Sequence, residues 1–202
     1  FRDNPDGYLK IGNKIVVIEH FEYDATKNDK KGSETRIEES RIDRQLNNKH
    51  YTIDGVKYVH EEMNVTYSTE QLRDNFIKIF SDHNLKINQY KKELIEDGIL
   101  DDNNEVTVMF CCEDKTIFGC MGYDEQKYDF NILDIKECID VILDSDVDYL
   151  LLCNSYENRK EMRLVSVSSQ LLEISPYRLA SEIKMIDYKP KMVAARINLP
   201  HT

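Results

Sequence analysis

The order of apolar and polar positions divides this 202-residue chain into alternating β and α stretches. The first, 7–11, is half polar, with Tyr8, Leu9 and Ile11 apolar. Gly12-Asn13 follows as a two-residue turn signal. Ile15, Val16, Val17 and Ile18 then form an unbroken β-branched run, which predicts a strand covered on both faces. That run leads directly into Glu19, His20, Phe21, Glu22, Tyr23 and Asp24. An ionised carboxylate at the end of a buried strand is costly unless it is paired or bound to a metal. Glu19 therefore conflicts with its surroundings and marks the hairpin as the first place to look for chemistry.

The stretch 25–31 is polar and reads as a loop. Ser33 is a good N-cap for the charged helix ETRIEESRIDRQL, with Ile37, Ile42 and Leu46 toward its buried side. Asp54-Gly55 signals a second, short hairpin within 51–67. The strongest helical period spans 69–97, where Leu72, Phe76, Ile79, Phe80, His83, Ile87, Tyr90, Leu94 and Ile95 recur at three- and four-residue steps. Ser68 or Thr69 can cap its start and Gly98 its end, and Asn84 and Asn88 weaken its middle, so one helix or two in succession fit. Alternation over 105–112 predicts a strand. Glu113-Asp114-Lys115 reads as a turn into a second strand over 116–121. A helix over 131–144, a central strand over 147–153 and an alternating strand over 161–168 follow. After a break at Ser175-Pro176, 179–186 suits a short helix and 192–197 a last strand. No repeat or low-complexity linker interrupts the chain. The expected class is α/β, a central mixed β-sheet flanked by helices, in one domain over 1–202 with a weak subdivision near Gly98.

Charge and composition narrow the function classes. A net charge of −11 argues against coating nucleic acid by bulk electrostatics, though not against one local basic surface aided by metal ions. No run of about 18 apolar residues predicts a transmembrane helix. The segment FRDNPDGY is not a signal peptide. Cys111, Cys112, Cys120, Cys138 and Cys153 sit mostly in apolar segments without CxxC spacing, which suits buried free thiols in a reducing cytoplasm. Within 27–49, Lys27, Lys30, Lys31, Arg36, Arg41, Arg44 and Lys49 make the least acidic part of the protein. Such a stretch is either a solvated helix face with i,i+4 pairs or a nucleic-acid contact. GxSxG, Walker-type and GxGxxG patterns are absent.

The order Pro5-Asp6, hairpin, Glu19 thirteen residues on resembles the PD-(D/E)xK nuclease superfamily, over 5–33. The resemblance implies a restriction-endonuclease-like core and a Mg²⁺ (or Mn²⁺) ion that activates water against a DNA or RNA phosphodiester. Carried over by position, Asp6, Glu19 and the main-chain carbonyl of His20 look like the metal ligands. The superfamily's lysine, two residues after the acid, is Phe21 here. Lys31, or Lys30, ahead of the next helix is the replacement the resemblance implies. Gly32 and Ser33 at that helix start suit a phosphate, Arg36 and Arg41 the nucleic-acid backbone, and Gln45 the same surface. The superfamily core also has a helix and a strand ahead of the aspartate, which the resemblance places outside this sequence. Plainer alternatives stand beside each residue. Pro5-Asp6-Gly7 is a common turn, Glu19 can pair with Arg36 or Arg41, and Glu22 and Asp24 are rival functional acids. A non-catalytic nuclease-like module, or an unrelated α/β module binding a basic protein partner or a second copy of itself, is the competing class.

Overall fold

The β-branched residues flanking Gly12 build the first hairpin, and Gly12 itself takes φ 61°, the left-handed backbone that a tight hairpin turn requires. An added Cβ there would meet nothing within 4 Å, so backbone conformation rather than space selects glycine. A computed structural model describes residues 5–29, 32–48, 51–53, 56–58, 65–116, 131–156, 159–168, 171, 187–188 and 195–196.

The hairpin strands are β1 (Gly7–Ile11) and β2 (Lys14–Tyr23). The short strands β3 (Asn28–Asp29) and β4 (Gly32–Ser33) pair with each other where the sequence predicts a plain loop. They lead into α1 (Glu34–Asn48). A small hairpin of β5 (Tyr51–Ile53) and β6 (Val56–Tyr58) forms around the predicted Asp54-Gly55 turn, whose own residues lie outside the described ones. β7 (Tyr67–Ser68) precedes α2 (Thr69–Asn84), and α3 (Ile87–Glu96) follows. Ser68 caps α2 by accepting the Gln71 N–H, and Gly98, at φ 69°, follows the end of α3. The long helical period is thus two helices, broken at 85–86 just after Asn84.

β8 (Glu105–Asp114) is longer than its alternation predicts. It runs through Glu113 and Asp114, where the sequence suggests a turn, because parallel pairing with β2 continues to Tyr23 and Asp114. The expected strand over 116–121 lies almost wholly outside the described residues. A capping box at Asn131 and Asp134 starts a 3-10 turn (Ile132–Asp134), and α4 (Lys136–Leu143) follows it. β9 (Tyr149–Tyr156) and β10 (Arg159–Ser166) form the second long hairpin. Of the last predicted strand, only β12 (Ala195–Arg196) is described, paired with β6, while β11 (Asp187–Tyr188) pairs with β7. The expected helix at 179–186 lies outside the described residues.

The architecture is a mixed α/β sheet in the order β1-β2-β8-β9-β10 with flanking helices. β2, β8 and β9 are mutually parallel, and β1 and β10 close the edges antiparallel. Parallel neighbours need long crossovers, and the helices between β2 and β8 and between β8 and β9 supply them. One face carries Ile15, Val17, Glu19, Phe21 and Tyr23 of β2, Val108, Phe110, Cys112 and Asp114 of β8, and Leu150 and Leu152 of β9, all buried. α2 and α4 pack there in the larger apolar cluster with Phe21 and Phe110, and α3 packs in the smaller one with Ile15 and Val17. The opposite face is only half closed. Val16 and Ile18 are half-buried, while Leu9 and Leu164 are 51% and 62% exposed. The expectation of a β2 covered on both faces therefore holds for one face only.

Candidate active site at the open end of the hairpin

Glu19 lies on the covered face, between the two apolar clusters: Ile15 and Val17 on one side, Phe21 and Tyr23 on the other. At 5% exposure its carboxylate has to find donors within the protein. Three converge on it. His83 Nδ1, in the last turn of α2, lies 2.6 Å from Oε1, and the Tyr90 hydroxyl of α3 donates to the same oxygen at 2.8 Å. The Asp6 main-chain N–H donates to Oε2 at 3.2 Å. The helix break at 85–86 lets His83 and Tyr90, on separate helices, reach one oxygen. Burial by itself pushes the Glu19 carboxyl up, but the bonds from His83, Tyr90 and the Asp6 backbone outweigh it and hold the group below its ordinary value.

Asp6 sits where the hairpin opens. Pairing of β1 with β2 ends at Gly7 and Ile18, so Asp6 stands across from Glu19. Its exposed carboxylate takes over the ladder, with Oδ2 accepting the His20 N–H at 2.7 Å. A strand residue turns its N–H and C=O toward the same neighbour. The His20 carbonyl is therefore directed to this same open edge, beside Asp6 and away from β8. Asp6, Glu19 and the His20 carbonyl thus all stand at the end where the two strands part, with the Asp6 N–H bonded to Glu19 and the Asp6 carboxylate to the His20 N–H.

These donors fit the hard divalent cation that the resemblance implies. All are oxygens, the ligand type of Mg²⁺ and Mn²⁺. Oδ1 of Asp6 is not used by the His20 bond, and Oε2 of Glu19 holds one donor where Oε1 holds two.

The other sequence-predicted residues fall elsewhere. Lys30 and Lys31 lie outside the described residues, as does Cys120. Ser33 is buried and caps α1 by accepting the Arg36 N–H at 3.3 Å. Arg36 pairs with Glu22 at 2.7 Å, and Arg41 with Glu38 at 3.0 Å, so neither neutralises Glu19. Gln45 is half-buried on α1. Phe21 is locked among Tyr23, Phe76, Phe80, Phe110 and the His83 ring. Among the described residues the free cysteines are Cys111, Cys112, Cys138 and Cys153, and burial pushes the Cys112 thiol well up, as an unreactive core thiol requires.

A second polar group lies on the opposite face of the same strand. His20 Nε2 is 3.3 Å from Glu113 Oε2. Lys115 bridges Glu113 at 2.6 Å and Glu22 at 3.4 Å. One ligand atom each from His20, Glu22 and Glu113 lies within 4.8 Å of the others. Their carboxylates already carry Lys115 and Arg36 as partners. Glu22, Ser33, Arg36, Glu39 and Lys115 also line a cleft of about 320 Å³ at the carboxyl ends of the parallel strands.

Sequence inspection missed His83 and Tyr90. Both sit in the apolar stripe of 69–97, and the only signal was a polar ring at positions that otherwise face the core. Comparison with protein-family models, curated proteins and solved structures gives no match. No helix among the described residues is long and apolar enough to cross a membrane.

Proposed function

We propose that this chain is a nuclease-like domain that hydrolyses phosphodiester bonds of DNA or RNA with Mg²⁺ or Mn²⁺. The cation would be held by Asp6, Glu19 and the main-chain carbonyl of His20. The observation that carries this reading is the open end of the hairpin, where Asp6 and Glu19 from opposed strands are tied by a hydrogen bond and the His20 carbonyl faces the same gap. When bound, the cation supplies an activated water and polarises the scissile phosphate. The chain's own residues prepare that position. His83 and Tyr90 keep Glu19 ionised and fixed, and Asp6 replaces the missing strand partner of His20. Further along the sheet, Arg36 and Lys115 line a cleft together with Glu22, Asp24 and Glu39, and a nucleic-acid backbone there would have to take these two cations from their Glu22 and Glu113 partners.

The test incubates the full chain with single- and double-stranded DNA and RNA in Mg²⁺, Mn²⁺ or EDTA. Cleavage should require the metal and fall by about 100-fold or more in Asp6→Ala and Glu19→Gln. EDTA-resistant cleavage, or wild-type cleavage by both variants, would refute it.

One observation favours a second reading, a non-catalytic α/β module that binds a protein partner. The half-open sheet face presents Leu9, Ile11, Met162 and Leu164, all more than half exposed. Under that reading, calorimetric titration with Mn²⁺ gives no heat that Asp6→Ala removes.

A further inference from the structure

The cleft of about 320 Å³ has a volume that suits a small molecule, and neither Asp6 nor Glu19 lines it. It opens where β2 and β8 end side by side. Open parallel sheets take their ligands in the crevice outside the carboxyl ends of such strands. Asp24, one residue beyond β2, lines this cleft at only 7% exposure. Its Oδ1 accepts both donors of Thr26, the N–H at 3.0 Å and the hydroxyl at 2.7 Å. Oδ2 accepts no hydrogen bond among the described residues, and it is not one of their sealed, unpartnered polar atoms. That oxygen is therefore the one Asp24 turns to the cleft.

A carboxylate buried this far is costly without a countercharge. Asp24 has no ion-pair partner among the described residues, and the two cations that line the cleft, Arg36 and Lys115, are held by Glu22 and Glu113. Burial raises the Glu39 and Asp114 carboxyls, and the charge of Asp24 adds to the rise in both. Asp24 thus acts on its neighbours as an uncompensated negative charge. The surroundings select the kind of cation. Among the described residues, the side chains able to share a metal ion are His20, Glu22 and Glu113, and Asp24 is not with them. Tyr23 and Ile79 line the same cleft, apolar surface that suits a methylene chain better than a hydrated ion. Asn75 lines it too. Its Nδ2 donates to the main-chain carbonyls of Asp24 and Thr26 at 2.9 and 2.7 Å, which leaves its amide oxygen as a further acceptor. Glu39, on α1, is an exposed acid of the rim.

We propose that this cleft binds a small aliphatic diamine or polyamine. One ammonium group sits on Asp24 Oδ2 and the Asn75 amide oxygen, the methylene chain runs along Tyr23 and Ile79, and a second ammonium lies near Glu39. The site shares no residue with the Asp6 edge, so it stands whether or not the chain cleaves nucleic acid.

The experiment titrates the full chain by calorimetry with putrescine, spermidine, n-butylamine and n-butanol, in about 0.1 M salt to screen the acidic surface. Putrescine and spermidine should bind one per chain, n-butylamine more weakly, and n-butanol, of the same length without charge, should give no heat. Asp24→Asn keeps an oxygen for Thr26 and should weaken putrescine about 10-fold or more. Glu39→Gln should weaken putrescine about threefold and leave n-butylamine unchanged. Several amines bound per chain with the same affinity in Asp24→Asn would mean attraction to the acidic surface at large, and overturns the site. So does Mg²⁺ that displaces putrescine and is itself lost in Asp24→Asn, since the position would then hold a metal. A wild type that gives no heat with any amine refutes the proposal outright. If Asp24→Asn does not fold, ¹H–¹⁵N spectra of wild type decide. The Thr26 main-chain amide and the Asn75 side-chain amide should shift saturably with putrescine, and unmoved resonances rule the cleft out.

Discussion

Glu19 and Asp114 are both buried carboxylates on the same face of the same sheet, one on β2 and one at the end of the neighbouring parallel strand β8. Their environments drive them in opposite directions. Three donors from three separate elements converge on Glu19 and hold its carboxyl below the ordinary value. Burial raises the Asp114 carboxyl to about 6, only partly offset by Thr116 and reinforced by the charge of Asp24. Burial depth is nearly the same, 5% and 7% exposed. What separates the two is the number of donors brought from a distance. Glu19 is therefore a built anionic position, and Asp114 is a tolerated strain at a strand end.

The sharpest way to break this comparison is to remove Glu19 altogether. Glu19→Ala leaves the His83 ring nitrogen, the Tyr90 hydroxyl and the Asp6 N–H without their acceptor. Stranding buried partners of a charged group costs about 3–5 kcal/mol. The alanine variant should consequently lose much of its stability in urea, whereas Glu19→Gln, which keeps an acceptor oxygen, should lose far less. The usual alanine test of a metal ligand would thus confuse unfolding with lost chemistry. Since the native Glu19 value lies below the unfolded one, its stabilisation is complete above the unfolded value and is lost as pH falls through the native value. Glu19→Gln should therefore flatten the acid limb of the stability curve. An acid limb identical to wild type would mean that the three donors do not act on Glu19 in solution.

Asp114 should show the reverse sign at slightly smaller size. Its native value is above the unfolded one, so the folded state holds the proton longer and stability falls as pH rises from about 4 to about 6. The distance between 3.8 and about 6 corresponds to roughly 3 kcal/mol. Asp114→Asn keeps an oxygen for the Thr116 N–H, which Asp114 Oδ1 accepts at 2.8 Å. That variant should be more stable than wild type above pH about 6, by up to that amount, and equal to it near pH 4. Melting temperatures across this range check it, and a constant difference at all pH values would remove Asp114 from the argument.

The sequence showed the frame of this arrangement more clearly than its centre. Gly12-Asn13 between β-branched residues defines the hairpin, and the stripe from Leu72 to Leu94 defines the helices that cover it. Both are local patterns of period two or near four, which a chain displays in order. The awkward placement of Glu19 was visible too, as a charge after an apolar run. Its resolution was not, because the donors come from 64 and 71 residues away and look like core positions in a helical stripe. The expected arginine partners were reasonable by charge, yet Arg36 is held by Glu22 on the opposite face of β2. Glu113 and Asp114 looked like a turn because the residues are polar. They continue β8 because Glu22 and Tyr23 stand beside them in register, a tertiary pairing that outweighs local preference.

A finer test separates the two donors on Oε1. Tyr90→Phe removes one hydroxyl from the Glu19 network and leaves the His83 contact, with ring packing in the α3 cluster unchanged. A hydrogen bond to a charged acceptor is worth about 1.5–3 kcal/mol, and the second donor on the same oxygen keeps the loss toward the lower figure. The ordering matters as much as the size. A loss as large as that of Glu19→Ala would make Tyr90, rather than the carboxylate, the centre of the network.

The smallest effect is expected three residues along the same strand, at Glu22. Its carboxylate faces the opposite side of β2, where Arg36 and Lys115 meet it from partly exposed positions. Exposed ion pairs contribute about 1 kcal/mol or less and weaken with salt. Glu22→Gln should accordingly change stability by less than about 1 kcal/mol, with the difference shrinking further in high salt. If Glu22→Gln instead matched Glu19→Ala, the two faces of β2 would not differ as their donors imply. A loss of metal-dependent cleavage in Glu22→Gln with stability unchanged would move the cation from the Asp6 edge to the cluster of His20, Glu22 and Glu113, where ligand atoms also stand within reach of one another. Retention of cleavage there, together with its loss in Asp6→Ala, assigns the chemistry to the open end of the hairpin.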